Sequence, residues 1–142
     1  MTIYIITYLK LEIGLVKKIL LLSLLFSSSV FAQNVDVGQV CKASAATMFG
    51  RDHKIMQLDT IENGIAYVHY IRSVDNSRWA IKCKLNGEKV IWASNNADST
   101  GRWRDDPLDS IVKYSVNGGD ITISEIYSDG SKTEKTYPIK EL

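Results

Sequence analysis

Residues that can take part in recognition concentrate in one long polar stretch, residues 95–110, which shows no regular spacing of apolar positions. In its second half stand, in order, Arg102, Trp103, Arg104, Asp105 and Asp106. Tryptophan and arginine are the residue types that most often anchor protein interfaces, and arginine can hold a carboxylate through two hydrogen bonds. Long connecting segments in compact domains commonly carry function. We therefore predict a binding site at these five residues.

The same stretch also has a structural interpretation. Trp103 would then pack back into the protein, because a fully exposed tryptophan is uncommon, and the neighbouring charges would pair with each other. The sequence leaves both interpretations open.

Catalysis by the carboxylates of this stretch is a weaker hypothesis. Glycoside cleavage needs two carboxyl groups facing one bond about 5–9 Å apart, whereas Asp105 and Asp106 are adjacent and point to opposite sides of an extended chain. Asp109 is less constrained. The chain has no Gly-x-Ser-x-Gly motif and no glycine-rich phosphate loop that leads from a strand into a helix. We predict no catalytic residues, and a small envelope hydrolase remains an alternative.

Metal binding is also weakly supported. His53 and His69 are the two histidines of the chain, with Asp52 and Asp59 as nearby carboxylates. The hairpin predicted below places His69 opposite Leu58, which is typical of a partly buried side chain rather than a ligand. We predict no metal site and no cofactor.

One helix is predicted before all the strands. Asp36 is a suitable N-cap, and Gly50 follows the last apolar position as a stop signal. Between them, over Val37–Phe49, one stripe at helical spacing consists of Val37, Val40, Cys41, Ala45 and Met48.

Everything after the helix reads as antiparallel strands joined by short turns. The turns lie at Asn63-Gly64, Asp75–Ser77, Asn86-Gly87, Asn117–Asp120 and Asp129-Gly130. The charged last strand ends at Pro138, which is typical of a sheet edge. We predict an α+β domain in which the N-terminal helix packs on an antiparallel meander of about six or seven strands. The pattern does not distinguish an open curved sheet from a half-barrel.

A disulfide between Cys41 and Cys83 is predicted to join the two layers. Pairing across the Asn86-Gly87 turn places Cys83 opposite Val90, and Ile81 opposite Trp92, on the apolar face of the sheet. Cys41 lies on the apolar stripe of the helix, so the bond would hold the helix on the sheet. The opposite, outer face is predicted to carry a basic stripe, whose residues are Arg72, Arg78, Lys82 and Lys84.

The N-terminal segment, residues 1–32, has the composition of a cleavable export signal. Lys17 and Lys18 precede an apolar run, Ile19–Phe26, and small residues lead to a cut after Ala32. The run is too short to cross a bilayer, which takes about 20 residues, so no stable membrane anchor is expected after cleavage. Val16 is a possible true start, because a protein beginning there would have an ordinary signal length. Residues 33–142 then form a single exported domain, periplasmic or secreted.

The net charge narrows the classes of partner that the protein is expected to bind. The full chain has a net charge of +1, and most of its N-terminal segment's charges are basic, so the exported domain is close to neutral. A nucleic-acid partner is not expected, because such proteins carry a basic excess.

The size, the disulfide and the β-rich build are similar in a general way to bacterial periplasmic inhibitors and immunity proteins, although no motif matches. We predict a small binding module of this inhibitor or immunity type, which acts on a protein partner in the envelope or outside the cell. A structural or assembly component of the cell envelope is the alternative.

Overall fold

The computed structural model of the protein describes residues 34–142, so the predicted export signal lies outside the described part. Helix α1 spans Val37–Phe49, as predicted. Asp36 accepts a hydrogen bond from the Gln39 amide and Gln39 Oε1 accepts one from the Asp36 amide, which forms a capping box. Gly50 ends the helix in the left-handed conformation, with φ of 61°. Among residues 34–142, no helix is long and apolar enough to span a membrane.

Eight strands follow the helix. Two short 3₁₀ turns, His53–Ile55 and Ile139–Glu141, flank the strand region. The strands are β1 (Gln57–Glu62), β2 (Ile65–Arg72), β3 (Ser77–Asn86), β4 (Lys89–Asn96), β5 (Ser99–Thr100), β6 (Ile111–Asn117), β7 (Asp120–Ile126) and β8 (Lys132–Pro138). They form an open antiparallel sheet in the order β1-β2-β3-β4-β6-β7-β8, with β5 paired to β4. This is the predicted α+β architecture in its open, curved form, and β8 lies at the predicted edge.

The β3–β4 hairpin has a register different from the prediction. Cys83 lies opposite Trp92 rather than Val90, and Leu85 takes Val90 as its partner. The reason is the turn, in which Asn86 pairs with Lys89 and leaves Gly87 and Glu88 as the loop. Gly87 has φ of 59°, as the first position of a type II′ turn requires. Because the shift is by two residues, every side chain keeps its predicted face.

The β1–β2 hairpin contains a bulge that the sequence did not reveal. The pairs near the turn follow the prediction, but the register shifts between Leu58 and Thr60. His69 consequently lies opposite Gln57 rather than Leu58, and the extra residue, Asp59, turns its carboxylate toward the His69 ring. The predicted partner of His69 was wrong, because a bulge is set by this local arrangement and not by periodicity, but the predicted partial burial of His69 is confirmed.

The core lies between α1 and one face of the sheet, which we call the helix-facing face. Cys41 and Cys83 form the predicted disulfide, with a Cα–Cα distance of 5.7 Å. The fully buried large side chains come from the helix, from both halves of the sheet and from the C-terminal turn: Val40, Val68, Val90, Val112, Ile121, Ile123 and Ile139. The helix therefore holds strands distant in sequence around one apolar centre.

Candidate functional site

The stretch predicted to be an irregular loop is largely an ordered edge against β4. The Arg104 amide donates to the Trp92 carbonyl at 2.7 Å, and the Gly101 amide donates to the Ser94 carbonyl at 2.9 Å. An added Cβ at Gly101 would lie 3.1 Å from Ser94 Cβ, so glycine permits this close approach. Residues 97–110 run along the part of β4 that β6 leaves uncovered, because β6 pairs only with Lys89 and Val90.

Trp103 lies on the outer face of the sheet, which is the face opposite the helix. The Lys82 and Lys84 ammonium groups lie 4.7 and 4.4 Å from the centre of its ring, within the range of cation–π attraction. The ring is half-buried rather than exposed. Ala93 is fully buried although its side chain points to the outer face, opposite Lys82. A small second apolar cluster therefore lies on the outer face, formed by Ala80, Ile91, Ala93 and Trp103.

The arginines of the predicted site point away from Trp103 and share one carboxylate. Arg102 donates two hydrogen bonds to Asp109, at 2.8 and 2.7 Å, and Arg104 Nη1 lies 3.5 Å from the same carboxylate. The Asp106 amide donates to Asp109 at 3.0 Å. The Arg104 guanidinium also lies 5.6 Å from the centre of the Trp92 ring. Asp109 therefore closes residues 102–109 into a compact turn.

The five predicted site residues thus form two groups rather than one surface. Alternation along the chain places Trp103 and Asp105 on the outer side, where Asp105 forms an ion pair with Lys89. Arg102 and Arg104 take the other side, and Asp106 lies 3.3 Å from Arg102. The local charge pairing corresponds to the structural interpretation of this stretch, but Trp103 does not enter the main core.

The carboxylates here are arranged for structure and not for proton transfer. The Arg102 guanidinium, with help from the Asp106 amide, holds the pKa of Asp109 well below its usual range. A general acid must be protonated near neutral pH, which this environment opposes. Asp105 and Asp106 each lie against a cation as well. This arrangement gives no support to the hydrolase alternative.

A basic patch surrounds Trp103 on the outer face, and we define it by Lys82, Lys84, Lys89 and Lys113. Lys89 and Lys113 are direct cross-strand partners between β4 and β6. Like charges placed directly opposite each other are destabilising. In the described part of the chain, only Lys89 of these four lies within ion-pair distance of a carboxylate. Lys82, Lys84 and Lys113 therefore carry positive charge that no carboxylate pairs with in the described part of the chain, and Lys82 and Lys84 carry it beside a half-buried aromatic ring.

The predicted basic stripe matches this patch only in part. Arg78, Lys82 and Lys84 lie on the outer face. The partner of Arg72 is Ser77, which lies on the same face of β3 as Trp79 and Ile81, so Arg72 lies on the helix-facing face. Its guanidinium lies 5.3 Å from the centre of the Trp79 ring. The predicted stripe did not include Lys89 and Lys113. Their proximity depends on β4 pairing with β6 across residues 97–110, which no local pattern indicates.

The histidines lie apart. His53 Nε2 lies 2.9 Å from Glu141, and His69 Nδ1 lies 2.7 Å from Asp59, whose other oxygen accepts from Arg78 at 2.9 Å. Across residues 34–142, no three or more histidine, cysteine or acidic side chains come together as metal ligands.

Comparison of the chain with protein-family models, with curated proteins and with solved structures finds no match.

Proposed function

We propose that this protein is an exported, non-enzymatic binding module of the inhibitor or immunity type, which recognises an acidic surface of a protein partner. Export to the periplasm or the medium is part of the proposal. It is supported by the signal-like composition of residues 1–32 and by the disulfide, which is typical of proteins from oxidising compartments.

The observation that carries the proposal is the basic patch around Trp103. Lys113 lies opposite Lys89, whose charge is already paired with Asp105, so an anionic partner would supply the carboxylate that Lys113 lacks among residues 34–142. Trp103 offers an aromatic surface that Lys82 and Lys84 already hold in place. Rigid aromatic side chains bind at a low entropic cost, and charge complementarity increases the rate of association.

The binding residues in this proposal are therefore a revised set. Trp103 is retained from the sequence prediction. Lys82, Lys84 and Lys113, which form no ion pair within residues 34–142, replace the arginines and aspartates, whose charges already pair locally. Arg102 and Arg104 act indirectly, since their contacts with Asp109 fix the path of the chain on either side of Trp103.

The test is affinity capture from envelope and culture-fluid extracts, with mass spectrometry of the eluate. The bait is the purified protein, expressed from the full chain with its disulfide intact. We expect one stoichiometric partner with an acidic surface, and binding that weakens as salt is raised. The double variant Lys84→Glu/Lys113→Glu should reduce capture by about a hundredfold, because each reversal replaces an attraction by a repulsion.

The matched control is Lys54→Glu/Lys140→Glu, which makes the same change in net charge at two exposed lysines outside the patch. Equal loss of capture in both double variants would contradict the proposed surface. A large membrane complex in the eluate would favour the envelope-assembly alternative instead.

A further inference from the structure

A second surface lies at the end of the β3–β4 pair that is opposite its Gly87-Glu88 turn, where β3 and β4 separate. Their paired register ends at Ile81 and Ser94. Beyond it, the Asn96 side chain accepts a hydrogen bond from the Ala80 amide at 2.9 Å, in place of a backbone partner. β4 then turns toward β5, while the start of β3 stays paired with β2. The two strand ends leave a cleft of about 440 Å³ between them.

The volume of this cleft lies in the range of about 300–1,000 Å³ that is usual for small-molecule sites. Its lining includes one aromatic ring and several polar side chains: Arg78, Trp79, Asn96, Asp98 and Ser99. Trp79 is 39% exposed, whereas the other two tryptophans are only partly accessible. An exposed tryptophan in a cleft needs an explanation, because burying such a ring is strongly favourable.

The Trp79 ring is held in position by Ser77, which also lines the cleft, and by Asp75 and Arg72 outside it. Its indole N–H donates to Ser77 Oγ at 2.8 Å, and Ser77 Oγ donates to Asp75 at 2.7 Å. Arg72 donates to the same carboxylate and covers the ring at 5.3 Å. These contacts immobilise the ring before any ligand arrives, which lowers the entropic cost of binding.

The polar groups beside the ring retain unused hydrogen-bonding capacity. Asn96 uses its carbonyl oxygen for the Ala80 amide, so its NH₂ group can still donate. Asp98 forms no ion pair within residues 34–142, and its carboxylate can accept several hydrogen bonds. Along a strand, the backbone N–H and C=O groups of every second residue point to the same side. The Ala80 amide points toward β4, so the backbone groups of Arg78 point to that side too, where β4 is no longer paired.

The charges of the lining favour an uncharged ligand. Arg78 and Asp98 are its two charged residues. Arg78 is already bound to Asp59 at 2.9 Å, which leaves the exposed Asp98 carboxylate as an acceptor for hydroxyl groups. A phosphate or a strongly anionic ligand would find no free cation here. A sugar ring has the complementary chemistry, because its C–H groups stack on the negative face of an aromatic ring and its hydroxyls pair with planar polar side chains at the rim.

We propose that this cleft is a binding site for an uncharged oligosaccharide, with Trp79 as the stacking platform and Asn96 and Asp98 as the hydroxyl partners. The proposal does not depend on the protein-binding function of the basic patch. It concerns a different part of the sheet and a different class of ligand.

The test uses ¹H–¹⁵N NMR spectra of the purified protein with maltotetraose, cellotetraose and the tetramer of N-acetylglucosamine at millimolar concentrations. We expect at least one sugar to move the Trp79 indole resonance and the Ala80 and Ser99 amides, while the Trp103 indole stays in place. Trp79→Ala should weaken this binding by about tenfold or more. Asp98→Ala changes an exposed side chain and should weaken it several-fold with the fold intact.

Trp103→Ala is the matched control, because it removes a second tryptophan and should leave sugar binding unchanged. The proposal is overturned if none of the three sugars moves the cleft resonances, or if a folded Trp79→Ala protein binds as tightly as the parent. Tetraalanine is included as a peptide probe. If tetraalanine moves the cleft resonances and the sugars do not, the cleft is a peptide site and the saccharide proposal is wrong.

Discussion

The two faces of the sheet bury apolar surface in different ways. The helix-facing face has the disulfide, α1 and large aliphatic side chains such as Ile121 and Ile123, both fully buried. The outer face has no helix over it in the described part of the chain, and only Ala80, Ile91 and Ala93 are buried there. Trp103 reaches this face from a segment that is itself held by ion pairs.

This difference predicts that the stability of the domain depends mainly on the helix-facing face and that recognition depends on the outer face. Apolar packing between layers is insensitive to salt and gives the domain its core, whereas charged and half-buried groups can exchange their present contacts for those of a partner. We therefore expect changes on the helix-facing face to affect folding first. Changes on the outer face should affect binding with smaller effects on stability.

The largest effect is expected from removing the disulfide. The bond closes a loop with a sequence separation of 42 between the helix and β3. In the chain-entropy model, its loss lowers the free energy of unfolding by about 4 kcal/mol. Urea unfolding of Cys41→Ala/Cys83→Ala should show this decrease, and reduction of the parent protein should reproduce it. A decrease below about 1 kcal/mol would show that α1 is held on the sheet by packing alone.

An isoleucine on each face allows a direct comparison. Ile123→Ala creates a cavity beneath the helix and should lower the free energy of unfolding by about 3 kcal/mol. Ile91→Ala removes the same atoms from the outer face, where lysine and tryptophan side chains can close over the gap, so we expect about 2 kcal/mol. Urea unfolding measures both. An equal or larger effect for Ile91 would mean that the outer cluster is a true second core.

Local signals were sufficient to predict much of the fold. The N-cap Asp36 and the C-terminal Gly50 bound the helix because both act through hydrogen bonds within a few residues. The alternation in β3 assigned Cys83 to the apolar face, and this made the disulfide predictable. Turn chemistry was less complete, since Asn86-Gly87 indicated a hairpin but not which two residues form its loop.

The candidate sites were less predictable because they depend on contacts between distant strands. The arrangement around Trp103 requires Lys82 and Lys84 from another strand, and the position of Lys113 opposite Lys89 requires the β4–β6 pairing. The composition of residues 102–106 identified the right segment, but not that alternation would divide it between two sides. The cleft beside Trp79 arises where two strands separate, and no residue pattern marks that point.

The smallest effect, and the sharpest distinction between the core and the segment that carries Trp103, is expected from pH. The ion pair with Arg102 lowers the pKa of Asp109, so its stabilising contribution is complete above the ordinary aspartate value of about 3.9 and is lost as pH falls further. On the helix-facing side, burial raises the pKa of Tyr137, which hydrogen-bonds with Thr47. That contribution is complete below the ordinary tyrosine value of about 10 and is lost as pH rises through the folded value.

Unfolding free energies measured across the pH range should therefore decline at both ends for different reasons. Asp109→Asn should make the acid decline shallower and shift the Trp103 indole resonance, while leaving the alkaline decline unchanged. Part of the acid decline should remain, because the Arg72 guanidinium also lowers the pKa of Asp75. Tyr137→Phe should flatten the alkaline decline alone, because phenylalanine keeps the buried ring and has no ionisable hydroxyl. If Asp109→Asn changed the alkaline decline instead, the segment carrying Trp103 would be coupled to the core, and the two could not be treated as independent.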